Sequence, residues 1–166
     1  MFWSLFLFWG CPGSPQTDTG DITCIDRGEV TLQIGSGEEG LVLLEESDSV
    51  LIERGPQGGF HIWAGFLATG IHPGNLEKIP HPANPELTFS LVANDKQIAG
   101  YEGAQRVLEI LSEESIRHTG EQLILSINDL SEVAEQPAVL SIEIYDACGA
   151  EIQEQRSIIL TLGKDP

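Results

Sequence analysis

The stretch Val139-Leu140-Ser141-Ile142-Glu143-Ile144-Tyr145 decides the fold class. Successive side chains of an extended chain point to opposite faces, so Leu140, Ile142 and Ile144 collect on one side and Ser141 and Glu143 on the other. One face is built to be buried and the other to be wet. The same alternation recurs upstream, where Leu123, Leu125 and Ile127 share a face. Runs of strand character extend outward from there: Val30 to Ile34, Leu41 to Glu45, Val50 to Glu53, Phe60 to Thr69, Leu87 to Val92, Leu123 to Ile127, Val139 to Tyr145 and Ser157 to Leu162. Clusters of Gly, Pro, Asn and Asp separate them, and helical periodicity is nearly absent.

Sheets with one wet face are usually antiparallel, and short strands at this spacing fit two packed sheets. The expected fold is therefore all-β: an antiparallel two-sheet sandwich with an immunoglobulin-like Greek key. Asn94-Asp95-Lys96 reads as a turn into a short strand near Gln97 to Tyr101, and Asp146-Ala147-Cys148-Gly149 as the turn of a terminal hairpin. Residues 106–115 fit a helical stripe or a buried strand about equally, with strand preferred. Gly70 to Glu86, carrying Pro73, Pro80, Pro82 and Pro85, has loop composition, and a loop that long in a compact domain is either functional or mobile.

At 166 residues with 41% hydrophobic content, the chain can bury a continuous core as one domain, expected over residues 23–163. Eight Lys and Arg stand against 26 Asp and Glu, for a formal net charge of −18. Nucleic acid is excluded as a partner, since binding it needs cations that displace counterions from phosphates. Solubility accounts for the acidity more simply than attraction of a basic partner does.

In Gly55-Pro56-Gln57-Gly58-Gly59-Phe60-His61-Ile62-Trp63, three glycines and a proline lead straight into the longest strand. Glycine reaches backbone angles closed to other residues and leaves the chain bare, which suits a tight connection or the close approach of a ligand. Gln57, Gly58, Gly59, His61 and Trp63 are the candidate binding residues. The simpler role for Gln57 and His61 is to hydrogen-bond the loop and fix its shape. Together with the upstream IGSGEEG and the acidic run before VLIERGPQGG, the segment resembles an uncharacterised group of predicted bacterial lipoproteins and secreted proteins, common in myxobacteria-like genomes. These carry a GPQGG-aromatic-His segment ahead of a strand. The resemblance covers roughly Val30 to Gly74 and implies an exported β-domain without implying any chemistry.

A metal site is the alternative: His61, His72 and His81, with Gln57 or a carboxylate such as Asp48 as fourth ligand, would suit zinc or copper. A blue-copper centre is disfavoured by the lack of a Met beyond Met1 and of a His after Cys148, and no Asp-rich calcium loop occurs. For catalysis there is no GxSxG elbow, HExxH pair or GxxxxGK(S/T) phosphate loop, so no enzyme is expected.

The N-terminus, MFWSLFLFWGC, runs from Phe2 to Trp9 without a charged side chain and then gives Gly10 and Cys11. That is too short for a bilayer span, which needs about 20 apolar residues, but it fits the apolar part of a secretion signal. It resembles the signal of bacterial lipoproteins, in which a small residue precedes a cysteine that becomes lipidated. The resemblance implies a signal over residues 1–10, a lipidated Cys11 with a tether over residues 11–22, and a place in the cell envelope. Pro12 rather than Asp after the cysteine favours the outer membrane by the same analogy. Membrane contact would run through the lipid alone, and a protein or glycan partner in the envelope remains open, as does the oligomeric state. With Cys11 so used, Cys24 and Cys148 are left to pair in an oxidising compartment, two unpaired thiols being the other outcome.

Overall fold

A computed structural model describes residues 23–163; the expected signal, Cys11 and the tether lie outside them. The described residues form an all-β fold of ten strands: β1 (Thr31–Ser36), β2 (Val42–Leu43), β3 (Asp48–Arg54), β4 (Phe60–Thr69), β5 (Glu86–Ala93), β6 (Lys96–Ala104), β7 (Glu109–Ile110), β8 (Ser115–Ile124), β9 (Gln136–Tyr145) and β10 (Glu151–Leu162). One 3-10 turn, Leu130–Glu132, joins β8 to β9, capped by Asp129, whose side chain accepts from the Ser131 amide.

The strands fall into two hydrogen-bonded sets. One runs β2-β1-β4-β8-β7 and the other β3-β10-β9-β5-β6. β3 is the seam between them: Asp48 to Ile52 pair with Ile158 to Leu162 of β10, whereas Glu53 and Arg54 pair with His61 and Phe60 of β4. The runs β4-β8-β7 and β10-β9-β5-β6 reproduce the strand order of an immunoglobulin-like Greek key. One correction concerns direction. β3 and β10 pair in parallel, so the arrangement is mixed rather than antiparallel throughout.

The residues that decided the fold class carry the core. Leu140, Ile142 and Ile144 are fully buried, as are Leu87, Leu91, Ile158 and Leu160 on neighbouring strands. Each such aliphatic side chain withdrawn from water stabilises by roughly 1.5–3 kcal/mol. From the other set Ile62, Ala64, Phe66 and Ala68 of β4 are fully buried, and the rings of Phe66 and Phe89 approach to 6.4 Å between centroids.

Other expectations need correction. The strand expected over Leu123 to Ile127 begins at Ser115 and ends at Ile124. Residues 106–115 are mostly irregular, with only Glu109, Ile110 and the first residue of β8, Ser115, paired, and the expected run Leu41 to Glu45 shrinks to the two exposed residues of β2. The expected β4 matches residue for residue. The Cys24–Cys148 disulfide is formed, tying the start of the described chain to the β9–β10 turn across 124 residues of sequence.

Candidate binding site

The β3–β4 connection builds the first site. Gly55 N–H donates to Gly59 O at 2.8 Å and Gly58 N–H to Gly55 O at 2.9 Å, closing a tight loop over the end of the hairpin. Gly58 has φ +87°, a region that disfavours side chains. Beside this loop lies an open recess of about 480 Å³, lined by Gly55, Pro56, Gln57, Gly59, Phe60, His61, Gln122 and Ile124. That volume lies within the ordinary range for small-molecule sites, roughly 300–1,000 Å³.

His61 forms part of its wall. It belongs to the outward row of β4 with Trp63, yet it is only 5% exposed, sheltered by the glycine loop. Its Nε2 is buried without a hydrogen-bond partner, the nearest acidic oxygen being Glu53 Oε2 at 3.9 Å. On the other side of the ring, a Cβ on Gly55 would stand 3.7 Å from Nδ1. Trp63 packs edge-on against the imidazole with centroids 5.0 Å apart. Across the β4–β8 ladder, Ile124 faces His61 and Gln122 faces Trp63. Ile124 is 65% exposed, an aliphatic side chain standing free at the rim.

Gly59 differs from the glycines that the backbone demands. Its φ is not positive, and a Cβ there would meet nothing within 4 Å. Nothing inside the fold calls for glycine at this position, which lines the recess.

The expected metal ligands do not meet. His61 opens β4, whereas His72 follows its end, and ten residues of strand at about 3.3 Å each put the two ends roughly 30 Å apart. The ring Nδ1 of His72 accepts from Gly74 N and that of His81 from Ala83 N, both at 3.1 Å, so each holds its own loop. Burial lowers the His72 pKa first, and the nearby Arg27 cation lowers it further. Asp48 stands at the far end of β3 and accepts from Glu45 N. No group of three or more potential metal-binding side chains occurs among the described residues.

The long loop expected over Gly70 to Glu86 lies away from the recess. Gly70 to Glu86 sits at the opposite end of β4 from GPQGG, against the β9–β10 turn. It is internally braced: buried Asn84 accepts from Asn75 N and donates to Lys78 O, and the Gln105 side chain accepts from His81 N. Buried Asp146 anchors it, accepting from the amides of His72, Cys148 and Ala150.

A second constellation escaped the sequence reading. Glu121, 8% exposed, accepts from Arg106 Nε at 2.9 Å and Nη2 at 3.2 Å, and its Oε2 lies 2.9 Å from His118 Nε2. The Arg106 guanidinium also rests 4.9 Å from the centroid of the Tyr101 ring. Burial alone would raise the Glu121 carboxyl, but the bonds from His118 and Arg106 outweigh it and hold its pKa at about 2. Its hydrogen bond to Glu121 raises the Arg106 pKa. Burial and the neighbouring carboxylate push the Tyr101 hydroxyl well above the usual phenol range.

This cluster fastens the β6–β7 connection to the interior of β8. A bulge makes it fit: Ala64 faces Glu121 and Phe66 faces His118, so both polar side chains turn inward although three positions apart. The available signal was Gly120, whose φ of +75° marks the bulge.

No protein-family model matches this chain, and no curated protein matches it significantly in sequence. The reading of its function therefore rests on its own residues.

Proposed function

We propose that this chain is a lipid-anchored protein of a bacterial cell envelope, held at the outer membrane through Cys11, with a non-catalytic β domain that serves as a binding module. The observation that carries the binding role is the recess beside GPQGG: Gly59, a glycine the fold does not need, lines a site whose wall holds a buried imidazole with an unpartnered nitrogen. A preformed concave site with a few polar groups is the ordinary form of a ligand site. Its lining has no Ser, Thr, Cys, Lys or carboxylate to act as nucleophile beside a base, which favours binding over catalysis.

The anchoring role draws on the apolar run Phe2 to Trp9 followed by Gly10 and Cys11. The Cys24–Cys148 bridge is consistent with export, because disulfides form and persist in oxidising compartments. The test is expression of the full chain in a bacterium fed an alkyne-tagged fatty acid. Label should appear on the protein in the membrane fraction and vanish in Cys11→Ser. An unlabelled chain, or label that survives Cys11→Ser, contradicts the anchor.

A further inference from the structure

We infer that the recess beside Gly59 takes an uncharged saccharide, an inference that rests on reading the domain as a binding module. The first argument is charge. With 26 Asp and Glu in 166 residues and a net charge of −18, a recess in this chain lined by eight residues would ordinarily carry about one carboxylate. Apart from the His61 imidazole, its eight lining residues have no ionisable side chain. A cationic ligand would find no counter-ion in the wall, and an anionic one would be repelled by the molecule as a whole.

The second argument is the kind of hydrogen bonding offered. The side chains available are the amides of Gln57 and Gln122 and the imidazole of His61, set between the apolar surfaces of Pro56, Phe60 and Ile124. A planar amide presents a donor and an acceptor side by side. Neighbouring hydroxyls on a sugar ring, each able to donate and accept, match that pair, and the C–H faces of the ring match the apolar surfaces.

The third argument separates a sugar from a peptide. A peptide added as an extra strand needs a free sheet edge. The strand that carries His61 offers none: at His61, β4 is flanked by Glu53 of β3 and by Ile124 of β8, and Phe60 O already accepts from Leu125 N at 2.8 Å. Recognition is left to side chains and to the bare glycine backbone, whose missing Cβ at Gly59 lets a ring approach closely.

Trp63 supplies the readout, since it touches His61 and lies opposite Gln122. The protein would be prepared in mild detergent; Trp3 and Trp9 fall in the expected signal over residues 1–10, so Trp63 is the sole indole of the processed chain, and Trp3→Phe with Trp9→Phe gives the same for a chain that retains the signal. It would be titrated with a broad set of neutral oligosaccharides, with charged oligosaccharides, and with a mixture of uncharged peptides. At least one neutral oligosaccharide should give a saturable change in Trp63 emission. Gly59→Val and the pair Gln57→Ala/Gln122→Ala should each weaken it at least tenfold while circular dichroism stays unchanged. Binding indifferent to both variants, or stronger for a charged saccharide, overturns the inference. Saturable binding of peptide alone overturns the saccharide and leaves the binding module standing. No response to any ligand overturns both.

Discussion

Glu121 keeps its charge in the interior because Arg106 and His118 hydrogen-bond it. Its folded pKa of about 2 lies below the ordinary 4.5, so the ionised form stabilises the fold above about pH 4.5. That contribution, on the order of 3 kcal/mol at neutral pH, is lost as pH falls from 4.5 toward 2. Urea unfolding at pH 7 and at pH 3 should show the lower midpoint at pH 3, and Glu121→Gln should flatten the difference. An equal pH dependence in wild type and variant would remove Glu121 from the account. Asp146 poses a simpler case: Asp146→Ala leaves the amides of His72, Cys148 and Ala150 without their acceptor. Denaturant titration should show a loss of about 2–4 kcal/mol. At this scale the sequence hid much of what matters. In Ser115-Ile116-Arg117-His118-Thr119-Gly120-Glu121-Gln122 the inward positions His118 and Glu121 are polar, so the hydrophobic alternation that marks a strand disappears between the buried Ile116 and Leu123.

At the scale of elements, two glycines make opposite predictions. Gly120 forms the β8 bulge with φ +75°, and a Cβ would stand 2.6 Å from Glu38 O. Gly120→Ala should therefore destabilise by about 1–3 kcal/mol in a thermal or chemical melt. Gly59 has neither constraint, and Gly59→Ala should shift stability by no more than about 0.5 kcal/mol in either direction. A large loss at Gly59 would make GPQGG a folding element rather than a binding one. Strand existence was legible wherever inward positions were aliphatic, as in β4, β5 and β9. It was illegible in β7, whose two paired residues, Glu109 and Ile110, are too few to set a period. The parallel pairing of β3 with β10 was also beyond reach, because alternation tells which face is buried but not which neighbour runs alongside.

Across the whole molecule, the two ends of β4 serve different purposes. At one end the β9–β10 turn, the Gly70 to Glu86 loop and the chain around Cys24 are joined by Asp146 and the disulfide. Closing a loop of 124 residues' separation should stabilise by roughly 4 to 5 kcal/mol, so Cys24→Ser/Cys148→Ser should unfold at markedly lower denaturant than wild type, with the fold retained in water. At the other end lies the uncharged recess. The cysteine count and the expected compartment made the bridge readable from sequence. The strand from Phe60 to Thr69 was readable, but the packing of the loop after it, against Asp146 rather than back toward His61, was not, and that packing keeps the histidines apart.

The most direct test of a recess at the GPQGG end is the amide spectrum of the 15N-labelled full chain, recorded with and without a pool of neutral tetrasaccharides. The account predicts shifts concentrated at Gly55 to His61 and Gln122 to Ile124, with Gly70 to Glu86 and Asp146 to Gly149 still. Shifts gathered instead at the disulfide-bound end, or spread evenly over the strands, would contradict it.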